Sequence, residues 1–355
     1  GSRRGTVHVR FAEPVSLRET LAGAREAAGT LDVRAAVPRV AFEVSHRINQ
    51  ATPITASALV TLTLLDNDDR AMTEAAMRAS LLPLAEYIRD RGLPMSSGFD
   101  LSKLDVLTTR SPSEGRRALD MLVREGVVAE YTGGLEPVYS IPPDRQLEAA
   151  FYRNTLSHFF VTRSITELAL VKAAEDQAPD LPASVWDEAL RLRDLLKYEF
   201  FFSSKREFDA EVRQEADLAY PGWHEARLTT AQVLPALRAS RFLLAHRIVA
   251  PFLEAYSVLA TRLAATDPST PVDTASLVAE SIGVGRQLVL QRSLHSPESV
   301  SKDLFTNALL LADNRALLDP TRPDLAERRR RFAAELADAV RRVDVVRTLA
   351  WEAQA

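Results

Sequence analysis

The sequence predicts a mainly α-helical protein with one small β-hairpin unit and one isolated N-terminal strand. The clearest signal is the last stretch of the chain, where apolar residues recur at alternating steps of four and three. These residues are Phe332, Leu336, Ala339, Val343, Val346 and Ala350. Such spacing is typical of a helix packed along a seam against another helix. Because acidic residues alternate with its arginines, the helix near 324–352 is expected to dock on the protein body or on a second subunit instead of lying on anionic lipid.

The isolated strand is predicted at the N-terminus. Residues 6–11 alternate polar and apolar side chains, which is the period of a half-buried strand, and Pro14 ends the pattern. A lone strand cannot satisfy its own backbone N–H and C=O groups. The next strand-like run begins only near Val127. The strand is therefore expected to come from a sheet that this sequence does not contain, and a short helix is expected over residues 17–28.

Two strand-like runs, residues 127–131 and 138–141, flank a Gly133-Gly134 turn and follow a helix that starts after Ser113. Helix, strand, turn and strand in this order outline a winged-helix unit, so a DNA-binding regulator is one alternative. Over residues 114–125, however, three arginines balance three acidic residues, which gives no net attraction for phosphates. We interpret the region near 100–142 as a small α/β packing unit.

An uncharged stretch at residues 48–65 reaches the length of a membrane span. Its threonines and amide side chains lower its hydropathy, so a buried core helix is favoured. Further helices are predicted over 72–91 and over 241–264, where Pro251 is expected to kink or restart the helix. The aromatic residues at 198–202 are expected in the core.

Composition narrows the classes of function. The chain has 355 residues, a formal net charge of −4 and no cysteine. Disulfides, thiolate zinc sites and a cysteine nucleophile are thereby excluded, and the charge argues against a nucleic-acid partner. The sequence contains no glycine-rich phosphate loop and no metal-ligand spacing, so neither a cofactor nor a metal is expected. No signal peptide is predicted, because no apolar stretch follows the first basic residues.

Four ordered segments carry a resemblance to a known family: VRFAEPVSL (9–17), INQATPITASAL (48–59), FYRNTLSH (151–158) and FLEAY (252–256). The first is similar to the segment that closes the acyltransferase domain of bacterial and mitochondrial glycerol-3-phosphate acyltransferases, with Ala12 where the family has glycine. The others have counterparts in the family's C-terminal region. The chain thus resembles the C-terminal region of a membrane glycerol-3-phosphate 1-O-acyltransferase of the bacterial type.

The resemblance implies transfer of an acyl group from a thioester to the sn-1 hydroxyl of glycerol-3-phosphate, which gives lysophosphatidic acid. The family performs this step with a histidine followed five positions later by an aspartate, a general base and the carboxylate that orients it. Five positions after the six histidines of this chain stand Glu13, Ala51, Arg163, Thr229, Pro251 and Val300. No catalytic residue is therefore expected here, and the chain alone is predicted to be inactive.

Partners and location follow from the same resemblance. The chain is expected to brace or regulate an upstream acyltransferase domain, whose last strand and short helix would lie in residues 1–36, with the helical C-terminal domain over 37–355. The full enzyme would use acyl-CoA or acyl-carrier protein and glycerol-3-phosphate in phospholipid synthesis. It would lie peripherally on the cytoplasmic side of the cell membrane, with possible contact to the membrane surface, while this chain alone is expected to be soluble. A helical scaffold or adaptor without catalysis stays open as an alternative.

Three polar residues of the FYRNTLSH segment are the candidate site. Asn154 and His158 are four residues apart and would share one helix face, next to Arg153. Together they could hold a phosphate or a carboxylate, or contact the upstream domain. The simpler interpretation is a polar seam against another helix, because polar residues on an apolar helix are usually paired structurally.

Overall fold

Helices dominate the computed structural model, which describes residues 9–19, 21, 33–65, 70–96, 114–219, 223, 230–240 and 243–354. The mainly helical prediction is confirmed. The helices are α1 (Val33–Ala51), α2 (Ala56–Leu65), α3 (Glu74–Asp90), α4 (Glu114–Arg124), α5 (Gln146–Asn154), α6 (Ser157–Glu175), α7 (Leu181–Leu195), α8 (Lys205–Ala219), α9 (Thr230–Ala239), α10 (Ala245–Ile248), α11 (Ala250–Ala264), α12 (Thr274–Leu290), α13 (Lys302–Asn314) and α14 (Leu325–Gln354). Single 3₁₀ turns lie at Pro143–Arg145 and Pro297–Ser299.

The predicted N-terminal strand lies partly outside the described residues, and its described part, residues 9–11, has no regular secondary structure. The reason is physical, since a strand needs a neighbouring edge for its backbone groups. Side chains hold this segment instead: Arg47 Nη1 donates to the carbonyl oxygens of Glu13 and Pro14 at 3.3 and 3.0 Å. Residues 17–19 form one helical turn, and most of the predicted helix beyond it is not described. Helix α1 runs through the predicted domain boundary at 36–37.

The predicted hairpin is confirmed as strands β2 (Ala129–Tyr131) and β3 (Val138–Ser140). A third strand, β1 (Met72–Thr73), pairs with the other edge of β3, so the antiparallel sheet has the order β1-β3-β2. Sequence reasoning missed β1 because two residues are too few to show an alternating pattern. The sheet is small. Helix α3 contacts β1, and both α3 and α4 pack on α2.

The uncharged stretch forms the end of α1 and all of α2, where eight of ten residues are buried. A buried core helix is thus confirmed there. Among the described helices, none combines the length and the hydropathy that crossing a membrane requires. Phe200 and Phe202 are buried as predicted for the aromatic cluster, whereas Tyr198 and Phe201 remain partly exposed.

Helix α6 is the centre of the larger helical layer, and it packs against α7, α8, α9, α10 and α14. It is buried on nearly every side, and it carries Arg163 and Glu167 on one face. Arg163 Nε donates to Glu167 Oε1 at 2.8 Å. The other carboxylate oxygen of Glu167 accepts the backbone N–H groups of Leu244 and Ala245 at 2.9 and 2.8 Å. One buried carboxylate therefore neutralises an arginine and caps the start of α10.

A second buried acid ties α3 and α8 to α6. Glu215 on α8 accepts a hydrogen bond from the hydroxyl of Tyr87 at 2.8 Å, and Arg91 Nε lies 3.2 Å from it. Arg163 also donates to the backbone oxygen of Glu215 at 3.1 Å. Burial raises the pKa of the Glu215 carboxyl. Burial also raises the pKa of the Tyr87 hydroxyl, and the nearby charge of Glu215 raises it further. The four side chains form one connected polar cluster inside an apolar layer.

The C-terminal helix α14 confirms the predicted seam, because all six seam residues are buried. It packs most extensively on α11 and also contacts α6. Arg342 connects α14 to α7, because its Nη1 donates to Glu188 Oε1 at 2.5 Å. Pro251 stands in the first turn of α11, directly after the short helix α10, so the helix restarts at this proline.

We predict that Glu167→Gln lowers the free energy of unfolding by about 3 kcal/mol, because it leaves the buried Arg163 without a full counter-charge. Urea unfolding followed by circular dichroism measures this. The matched control is Asp209→Asn, which breaks the exposed 3.0 Å pair with Arg213 and should cost less than about 1 kcal/mol. Equal losses in the two variants would contradict the special role of Glu167.

Candidate functional site

The candidate residues Arg153, Asn154 and His158 lie on two helices instead of one. Helix α5 ends at Asn154 and α6 begins at Ser157. At the break the backbone bonds reach three residues back instead of four, since the N–H of Thr155 bonds to the carbonyl of Tyr152 at 3.2 Å, where the Thr155 hydroxyl also donates at 2.7 Å. The prediction of a shared face on one continuous helix is therefore wrong.

Arg153 and Asn154 both bind the carboxylate of Glu298. The Asn154 side chain donates to Glu298 Oε1 at 2.6 Å, and Arg153 Nη2 donates to the other oxygen of the same carboxylate. Arg153 also donates to Asn154 Oδ1 at 2.9 Å. Glu298 lies on the 3₁₀ turn before α13. The pair thus fastens the end of α5 to the C-terminal half of the chain.

His158 makes a separate contact. Its Nε2 lies 2.7 Å from the carbonyl oxygen of Asn49 near the end of α1. A carbonyl oxygen only accepts, so Nε2 carries the proton in this contact. Burial lowers the pKa of the His158 ring from 6.5 to about 4, which keeps the ring neutral at physiological pH. This contact links α1 to α6. Among the described residues, His158 and Arg153 share no hydrogen-bond partner.

Arg153 lines a cavity that sequence reasoning did not find. The cavity encloses about 60 Å³ between α2, α5, α10, α11 and α14. Its charged and imidazole side chains are Arg153, His246, Arg247, Glu254, His295 and Arg347. We call it the arginine cavity. The arginines are 94 and 100 residues apart in the chain, counted from 153 to 247 and from 247 to 347, so no local motif could reveal it.

The polar groups of the arginine cavity are partly paired with one another. Glu254 Oε1 accepts from His295 Nδ1 at 2.9 Å, and Glu254 Oε2 accepts from the hydroxyl of Ser299 at 2.5 Å. Arg347 Nη1 donates to Asp344 at 2.8 Å. His246, expected from the sequence to be a core or boundary residue, is buried and lies at the wall of this cavity.

A second feature is an exposed apolar face on α1, which we call the α1 stripe: Val37, Ala41, Val44 and Ile48. Their spacing of four, three and four places them on one side of the helix. Val37, Val44 and Ile48 are 61%, 39% and 58% exposed, values that a core-facing seam would not have. On another side of α1, Phe42 packs edge-on against Phe201 with ring centroids 5.3 Å apart.

Comparison with known proteins shows the family of this chain. The family described as glycerol-3-phosphate acyltransferase C-terminal region matches residues 1–321. This chain belongs to that family. Proteins named putative acyltransferase plsB1, from Mycobacterium bovis and from two strains of Mycobacterium tuberculosis, are 40% identical to it over 355 residues. The match covers 99% of this chain and 55% of each relative, so the chain spans about half the length of these curated relatives.

Membership in the acyltransferase family confirms the resemblance found in the sequence. The matched residues 1–321 include the four segments that carried it. A role for Arg153, Asn154 and His158 in holding an anion or contacting another domain stays a prediction. Of these three, only Arg153 lines the arginine cavity.

We predict that His158 makes the stability of the protein sensitive to acid. Its pKa is about 4 when folded and 6.5 when exposed, so the unfolded chain binds the extra proton between these values. The contribution of the neutral ring is therefore complete above about pH 6.5 and is lost as the pH falls towards 4. In His158→Gln, which keeps a donor for Asn49, the fall in unfolding free energy from pH 7 to about 4.5 should be smaller by roughly 1–3 kcal/mol. Urea titrations at both pH values measure it, and identical pH dependence in the two proteins would refute the assignment.

Proposed function

We propose that this chain is the non-catalytic C-terminal half of a glycerol-3-phosphate acyltransferase, and that it braces the upstream acyltransferase domain through the α1 stripe. The observation that carries the proposal is the exposure of Val37, Ala41, Val44 and Ile48 along one side of α1. Family membership indicates the kind of protein, and the α1 stripe is the surface to which we assign the docking.

The α1 stripe has the pattern of a helix seam but not the burial of one. Single exposed apolar residues are normal on a protein surface, whereas an apolar row at helical spacing usually faces a core. Full burial of a valine or isoleucine contributes about 1.5–3 kcal/mol. A partner that covers Val44 and Ile48 would therefore gain several kcal/mol.

The upstream domain is the occupant we assign to this surface. The segment at residues 9–17 resembles the end of the acyltransferase domain, and the family is described as a C-terminal region. Arg47 on α1 binds this segment through the carbonyl oxygens of Glu13 and Pro14. A domain that ends near this segment would therefore emerge next to α1. Residues 1–36 would then form the tail of that domain and residues 37–355 the helical domain.

The chemistry would take place in the upstream domain. There a histidine and an aspartate would activate the sn-1 hydroxyl of glycerol-3-phosphate, and acyl-CoA or acyl-carrier protein would supply the acyl group. The product, lysophosphatidic acid, begins phospholipid synthesis, which fits a peripheral position of the full enzyme on the cytoplasmic face of the cell membrane. This chain would hold that domain in place and contribute no reacting group.

Charges placed on the α1 stripe should disrupt the docking of this chain on the upstream domain. In the full-length protein, Val44→Asp combined with Ile48→Asp is expected to lower acyl transfer to glycerol-3-phosphate at least about tenfold, because each charge would have to be desolvated for docking. The halves should also become easier to separate by limited proteolysis, while circular dichroism stays unchanged.

The control is Leu290→Asp, which places one such charge on an 86% exposed leucine of α12. It should keep full activity and protease resistance. Normal activity in the α1 double variant, or an equal loss in the control, would remove the support for this docking surface.

A further inference from the structure

We propose that the arginine cavity binds a phosphate group. The proposal does not depend on the upstream domain, because it rests on side chains within this chain. Arg153, Arg247 and Arg347 come from three helices, α5, α10 and α14, and all three line the same small space. Their exposed fractions are 5%, 6% and 7%, so their charges are removed from water.

The cavity concentrates N–H donors, although its three arginines are matched by three acids, Glu254 within it and Glu298 and Asp344 beside it. Among the described residues that line it, three arginines face a single carboxylate, Glu254. The oxygens of Glu254 already accept from His295 and Ser299. Two further acids lie beside the cavity, where Glu298 pairs with Arg153 and Asp344 with Arg347. A guanidinium carries five N–H donors, more than each of these pairs uses.

Size and chemistry point to phosphate in particular. A space of about 60 Å³ has room for on the order of five water-sized atoms, the number of heavy atoms in a phosphate ion. Arginine forks match the oxygens of a tetrahedral anion, and the bonds are strengthened by charge where water is excluded. A larger ligand would have to leave the rest of its structure outside the cavity.

A bound phosphate would connect separate parts of the fold. Arg153 lies in the last turn of α5, Arg247 in the short helix α10, and Arg347 in the last third of α14. Because these helices are joined only through tertiary contacts, a shared anion would stabilise their arrangement, and the melting temperature would rise with ligand concentration.

Isothermal titration calorimetry of this 355-residue chain with inorganic phosphate, together with thermal unfolding, tests the proposal. We expect a Kd of about 1 mM or tighter and a melting temperature that rises with phosphate but not with sodium chloride of equal ionic strength. Arg247→Gln should weaken binding at least tenfold. Arg347→Lys keeps the charge but loses the fork, so it should fold normally and still bind more weakly, and it decides the matter if Arg247→Gln does not fold.

The control is Arg341→Gln on the same helix as Arg347, an exposed arginine that pairs with Glu175. It should bind phosphate as the unaltered chain does. A second titration, with glycerol-3-phosphate, identifies the source of the group: tighter binding than that of inorganic phosphate indicates a phosphate ester, and equal binding indicates the free ion. Absence of binding heat, a thermal shift reproduced by sodium chloride, or full affinity in Arg347→Lys would overturn the proposal.

Discussion

The buried carboxylate of Glu167 is the contact on which the larger helical layer depends. It neutralises Arg163 on its own helix and accepts two backbone N–H groups at the start of α10. An unpaired charge in this layer would cost several kcal/mol, so the position of α10 relative to α6 is strongly determined. Helix α10 in turn carries Arg247 into the arginine cavity and leads directly into α11, against which the C-terminal helix packs. The position of Arg247 at the cavity therefore depends on an ion pair that is not part of the cavity.

Where the sequence pattern was periodic, it predicted the structure well. The seam from Phe332 to Ala350 and the hairpin around Gly133-Gly134 needed only local spacing and turn chemistry, and both are confirmed. The break at Thr155 was missed, because a local change of the backbone bonds from four residues to three leaves no periodic signal in the side chains. The arginine cavity could not be predicted from local patterns, since tertiary packing alone brings together arginines from helices far apart in the chain.

Helix α1 differs from the rest of the molecule in the pattern of its exposed apolar residues. In the larger layer, the internal acids Glu167 and Glu188 are paired with buried arginines. On α1, Val37, Val44 and Ile48 face outward in a regular row at helical spacing. Family membership and the greater length of the curated relatives make an upstream domain the natural occupant in our proposal. On this account the chain supplies a rigid support, while the missing histidine and aspartate pair supplies the chemistry elsewhere.

The proposed division of labour between this chain and an upstream domain can be measured directly. Radiolabelled palmitoyl thioester and glycerol-3-phosphate are offered in parallel to this chain and to the longer protein that includes the upstream half, and lysophosphatidic acid is quantified. Since none of the six histidines here is followed by aspartate at the required spacing, we expect product from the longer protein and none above background from this chain. Sustained formation of lysophosphatidic acid by this chain alone would contradict the account.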